Sequence, residues 1–128
     1  MPNSSISITD AESRVMEALW TRAPQSSEAI VAALAEPTGW HEKTIKTLLN
    51  RLLGKGAISA QKDGRRYLYT PELGREDWRR QESRSLLDRV FGGKVAPLLV
   101  HFSQHEEISS RDIAELRKLI DAIEKKRR

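Results

Sequence analysis

Apolar positions in the first half of this chain keep a helical period three times and then switch to alternation. Thr9 and Glu12 stand three apart ahead of the first apolar run, the signature of a capping box in which each side chain satisfies the other's free backbone N–H. Val15, Met16, Leu19 and Trp20 then recur at helical spacing, and Pro24 blocks continuation. Ser26 and Ser27 are candidate N-caps for a short second helix over Glu28–Ala35, burying Ile30, Val31 and Leu34 and stopped by Glu36-Pro37-Thr38-Gly39. A third helix is predicted from His41 to Lys55. Its Ile45, Leu48, Leu49, Leu52 and Leu53 fall on one face, and Gly54 and Gly56 bracket its end. Burying such aliphatics contributes roughly 1.5 to 3 kcal/mol each before ordering entropy, enough to hold the opposite face in a fixed orientation.

Alternation follows. Ala57–Lys62 and Arg65–Thr70 flank Asp63-Gly64, a dipeptide suited to a type I′ hairpin turn, with Ile58, Ala60, Tyr67 and Tyr69 as candidates for one side and Pro71 closing the second strand. The remainder returns to helical spacing. Arg75–Phe91 carries Trp78, Leu86, Leu87, Val90 and Phe91, and Gly92-Gly93 breaks it. Lys94–Phe102 forms a short apolar helix, and Ser109 caps a last helix to about Lys126. In that last helix Ile113, Leu116, Ile120 and Ile123 make a narrow stripe of the coiled-coil kind.

The pattern predicts a mainly α protein with a small β-hairpin: a winged helix-turn-helix in residues 1–73 and a helical dimerisation region in residues 74–128. A chain of 128 residues has room for these and no second large domain. There is no run of 18 apolar residues and no signal-like start, which points to the cytoplasm. The absence of Cys removes disulfides, thiolate metal sites and cysteine nucleophiles.

Charge sharpens this picture by its distribution. The net charge is only +4. Residues 1–40 carry 2 basic and 5 acidic side chains, residues 41–66 carry 7 and 2, and residues 67–128 carry 13 and 11. The positive charge is thus concentrated in the third helix and hairpin, where an anionic partner would be met. On the third helix Lys43, Thr44, Lys46, Thr47, Asn50 and Arg51 face away from the apolar stripe or border that outer face. Lys and Arg suit phosphates or guanine, Asn suits adenine, and Thr methyls suit thymine methyls. Lys62, Arg65 and Arg66 cluster at the hairpin tip, where they suit backbone phosphate. Two other readings stand beside this one: a basic face that is merely solvated, and a winged-helix protein-interaction module without sequence-specific DNA binding. The C-terminal stripe, with Leu98, Leu99 and Phe102, either packs back on its own domain or pairs with a second copy; such a stripe on a small monomer would stay exposed, which favours the dimer.

Three stretches, ITDAESRVMEALW from Ile8 to Trp20, WHEKTIKTLLNRLLGKGAI from Trp40 to Ile58 and DGRRYLYTP from Asp63, resemble the penicillinase-repressor group of winged-helix regulators that includes BlaI, MecI and CopY. The resemblance covers nearly the whole chain. It implies a homodimeric repressor, dimerised through its C-terminal helices, on a dyad-symmetric double-stranded DNA operator, often for β-lactamase or other resistance and stress genes. It also implies, for β-lactam-responsive members, inactivation by a membrane sensor protease that cuts between an Asn and a Phe. The matching pair here is His101-Phe102, so that His stands where those members have Asn. Copper-responsive members use a Cys-rich tail, which this chain lacks.

No Gly-rich phosphate loop, His-Glu-x-x-His pattern or nucleophile elbow occurs, and no cofactor is called for. His101 and His105, four apart beside Glu106 and Glu107, have the spacing of a helical metal pair but lack an evident third ligand, so interface or surface histidines are the favoured reading and no metal is expected. His41, at the start of the third helix, is expected near phosphate or water.

Overall fold

A computed structural model describes residues 6–105 and 107–128. The first helix, α1 (Asp10–Thr21), opens at the Thr9–Glu12 capping box, with Thr9 N–H donating to Glu12 Oε1 at 2.9 Å and Glu12 N–H to Thr9 Oγ1 at 3.1 Å. Strand β1 (Gln25–Ser26) leads directly into α2 (Ser27–Thr38). Helix α3 (Glu42–Lys55) follows, then the hairpin of β2 (Ile58–Asp63) and β3 (Arg66–Pro71). Beyond it come α4 (Arg75–Val90), α5 (Val95–His105) and α6 (Ser110–Arg127). The fold is a winged helix-turn-helix followed by helices, with one three-stranded antiparallel sheet ordered β1-β3-β2.

Three local features differ from the sequence expectations. Helix α2 runs through Pro37 to Thr38 instead of ending at Ala35. A proline in the last turn removes one backbone donor, while Thr38 Oγ1 donates to the Leu34 carbonyl at 2.6 Å and the left-handed Gly39 closes the helix on Ala35 O. The hairpin turn is centred on Gly64-Arg65, one residue later than expected, since Asp63 pairs with Arg66. Gly64 has φ 66° and no other residue type among those described has positive φ, so the turn follows the II′ pattern with glycine first, not the I′ pattern. Strand β1 was not anticipated; its Gln25 and Ser26 pair with Tyr69 and Leu68 across the sequence.

Backbone proximity divides the chain into two compact units, Met1–Glu82 and Ser83–Arg128. In the first, Val15, Met16 and Leu19 of α1, Ile30 and Leu34 of α2, and Ile45, Leu48, Leu49 and Leu52 of α3 are buried with Ile8, Ala57, Ile58 and Leu73. Leu53, read as a fifth buried position on α3, is only half-buried at the core margin. The first part of α4 belongs to this unit, although the sequence boundary stood at 73/74. Trp20 Nε1 donates to Leu73 O at 2.8 Å, the Trp20 and Trp78 rings lie 5.4 Å apart, and Arg75 sits over Trp20 while bonding Glu17 at 2.9 Å. Across the core, the Lys55 ammonium at the end of α3 donates to the Ser7 carbonyl at 2.8 Å and to the buried Glu12 carboxylate. The C-terminal end of α3 is thereby tied to α1 and to the segment before it.

The second unit is built differently. Gly92 and Gly93, both at positive φ, turn the chain after α4, and Arg84 bonds the Gly93 carbonyl at 2.9 Å. Ser109 caps α6 by accepting the Asp112 N–H at 3.0 Å. None of the described residues in α5 or α6 is buried.

Candidate nucleic-acid interface

The interface begins with the residues that hold α3 in place. Four of its aliphatic side chains, Ile45, Leu48, Leu49 and Leu52, are buried, which turns Lys43, Thr44, Lys46, Thr47, Asn50 and Arg51 outward; all six are exposed. Their chemistry is already partly arranged. Thr47 Oγ1 donates to the Lys43 carbonyl at 2.9 Å, which occupies the hydroxyl proton and leaves the side-chain methyl on the surface. Lys46 is bridged to Glu42 one turn earlier at 3.1 Å, both ends well exposed. Lys43 and Arg51 enter no ion pair among the described residues.

The hairpin turn places Lys62, Arg65 and Arg66 at the exposed tip of the wing. Arg66 is held by Asp63 at 3.4 Å, while Lys62 and Arg65 have no ion pair among the described residues. Helix α2 contributes one acid to this region. The Glu28 carboxyl lies below its ordinary range, first because its own backbone N–H and then the Ser27 hydroxyl bond it, and further because the charges of Lys46 and Arg66 act on it. The sequence pattern singles out the cations and not Glu42, the acid that bridges Lys46. The signal for Glu42 was present, since a Glu four residues before a Lys on a helix is a recognisable pair.

Helix α3 starts at His41, whose Nδ1 accepts the Lys43 backbone N–H at 3.1 Å. This N-cap was not recognised in the sequence, because His lies outside the usual Ser, Thr, Asp and Asn set.

In the second unit Leu98, Leu99 and Leu116 are half-buried, and Phe102, Ile113, Ile120 and Ile123 are exposed. Leu119, Val95 and Val100, which the sequence reading did not single out, are exposed with them. Leu99, Phe102, Leu116 and Leu119 line a groove of about 570 Å³ between α5 and α6. His101 and Phe102 both lie within α5, exposed. The His101 and His105 rings are 4.8 Å apart, with Phe91 6.5 Å from His101. Glu106 lies outside the described residues, and among those described no group of three or more His, Asp or Glu side chains converges as a metal cluster would.

A family model described as penicillinase repressor matches residues 8–122. The penicillinase repressor of Bacillus licheniformis is 32% identical over 114 residues, covering 89% of this chain and 89% of its own. That of Staphylococcus aureus is 30% identical over 126 residues, 98% of this chain and 100% of its own. The methicillin resistance regulatory protein MecI of Staphylococcus aureus strain N315 is 30% identical over 121 residues, covering 94% and 98%. Among solved structures, the DNA-binding domain of the repressor BlaI superposes with a TM-score of 0.53 at 36% identity, over 56% of this chain and 88% of that one. The monomeric form of Bacillus licheniformis BlaI in complex with the blaP half-operator gives 0.52, also at 36% identity, over 57% and 90%.

Fold and face together define a winged helix-turn-helix protein with a basic surface on α3 and the wing. The chain belongs to the penicillinase repressor family.

Proposed function

We infer that this protein is a transcriptional repressor that binds double-stranded DNA as a homodimer on a dyad-symmetric operator. The observation that carries the reading is the outer face of α3: six polar or basic side chains exposed along a helix whose other face is anchored in the core. A recognition helix needs this combination, a rigid mount and a row of donors that suit base edges and phosphates. Lys43, Lys46 and Arg51 serve phosphate or guanine, Asn50 adenine, Thr44 and Thr47 the thymine methyl, and Lys62, Arg65 and Arg66 the flanking backbone. The relative BlaI, captured as a monomeric form on a half-operator, supports one winged helix per half-site.

Dimerisation is assigned to Leu98, Leu99, Phe102, Ile113, Leu116, Ile120 and Ile123, whose apolar surface is incompletely covered in a single chain. The repressor acts in the cytoplasm on genes for β-lactamase or for other resistance or stress responses, by analogy with the named relatives. No helix among the described residues is long and apolar enough to cross a membrane. A membrane sensor protease cutting at His101-Phe102 would detach α6, and with it much of the dimerisation stripe.

The deciding experiment is a binding titration of Lys46→Ala and Arg51→Ala against the DNA fragments that the wild-type chain selects from its source genome. Both are expected to lose affinity while remaining dimeric. Removing one phosphate-contacting Lys from each protomer lowers the salt slope of log affinity by roughly two. Unchanged binding by both variants would favour a protein-interaction role for the same scaffold.

A further inference from the structure

The capping histidine at the start of α3 has a second ring nitrogen that makes no hydrogen bond among the described residues. We propose that His41 divides its two nitrogens between the helix and the operator: Nδ1 caps α3, and Nε2–H donates to a backbone phosphate beside the groove that α3 enters. The inference rests on the reading of the protein as a DNA-binding repressor and assigns a contact residue beyond the basic side chains.

The chemistry follows from one hydrogen bond. Nδ1 accepts the Lys43 N–H at 3.1 Å, so it carries a lone pair and the ring proton resides on Nε2, on the far side of an exposed imidazole. The His41 carbonyl is engaged as well, accepting from Thr44 N–H at 3.0 Å and Ile45 N–H at 3.2 Å. Backbone and ring are thus both tied to the first turn, and the outward N–H is held in one direction. The first-turn acid does not compete for that pole of the helix: Glu42 is turned down the helix to Lys46 at 3.1 Å. An approaching anion meets the positive end of α3, a directed neutral donor and the nearby Lys43. Serine or aspartate would cap the helix equally well; only histidine among capping side chains adds a donor this far beyond the cap.

Two substitutions separate the nitrogens. Asn carries an acceptor where Nδ1 stands and no atom at the Nε2 position, whereas Gln reaches the Nε2 position with its amide but does not cap. In the full-length protein, with the duplex that the wild-type chain selects from a randomised library as probe, His41→Asn is expected to keep the thermal midpoint and weaken binding about tenfold. Its salt slope stays unchanged, because a neutral donor releases no counterion. His41→Gln is expected to lower the midpoint yet retain more affinity than His41→Asn. Nitrogen-15 NMR of the free protein should find the His41 proton on Nε2. Binding by His41→Asn within twofold of wild type, or a proton on Nδ1, would overturn the proposal while leaving the repressor reading intact. Failure of the wild-type chain to prefer any duplex would overturn both.

Discussion

The two compact units make opposite use of their apolar residues. In Met1–Glu82 the large aliphatics of three helices close on one another, and Val15, Ile30, Ile45 and Leu52 are wholly shielded from solvent. In Ser83–Arg128 the same residue types stand open, Val90 at 57% and Ile120 at 51% exposure. Both units carry enough hydrophobic side chains to drive folding, so composition does not distinguish them. Geometry does: three crossing helices and a sheet enclose a volume, while a helix with a narrow stripe has a surface that only another helix can cover. The first unit is complete in itself as a mount for α3; the second leaves its apolar stripe uncovered.

That contrast can be broken most severely from inside the first unit. Leu49→Ala, at a fully buried position on α3, should destabilise the domain by about 2–5 kcal/mol and abolish DNA binding with it, as a denaturant titration monitored by Trp fluorescence would register. In the second unit the corresponding injury should separate folding from association. Leu116→Asp is expected to raise the dimer dissociation constant about a hundredfold, through a charge in the apolar groove, with the unfolding of the first unit unchanged. Sedimentation that finds an unaltered dimer would remove Leu116 from the interface.

A smaller effect tests what holds α3 to α1. Burial by itself raises the pKa of Glu12, but the Lys55 ammonium and the Thr9 bonds outweigh it and leave the carboxyl below its ordinary value of 4.5. The unfolded chain therefore takes up this proton at higher pH than the native one. Stability from the pair is present above about pH 4.5 and is lost as pH falls through the lowered native value. Glu12→Gln should cost about 1–3 kcal/mol at pH 7 and flatten the acid limb of the stability curve, measured as urea midpoints between pH 7 and pH 3. The smallest expected change is at the wing. Gly64→Ala meets no neighbouring atom and suffers only from φ 66°, so it should cost about 1 kcal/mol and reduce affinity modestly.

Most of the first unit was readable because its signals are local. The Thr9–Glu12 box, the α3 stripe and the Gly-containing hairpin are each specified within a few residues. The misses have physical causes of the same kind. Pro37 reads as a stop in the sequence, but near a helix C-terminus it deletes only one bond and Thr38 compensates nearby. Strand β1 is two residues long, too short for any period, and exists because β3 offers it an edge. The cations of α3 and the wing are legible as a basic cluster, whereas the bridge from Glu42 to Lys46 shows only in the structure.

By itself the sequence determined which segments become helices and hairpin, which face of α3 is apolar, and that positive charge gathers in residues 41–66. These are properties of neighbours along the chain, governed by period and capping. Only the tertiary structure decided that Trp78 joins Trp20, that Lys55 reaches Glu12, and that Glu28 lies within the field of Lys46 and Arg66. It also showed that His41 turns one nitrogen into its own helix. Such pairings depend on where helices and sheet come to rest once a common core is closed, and no one-dimensional pattern records that distance.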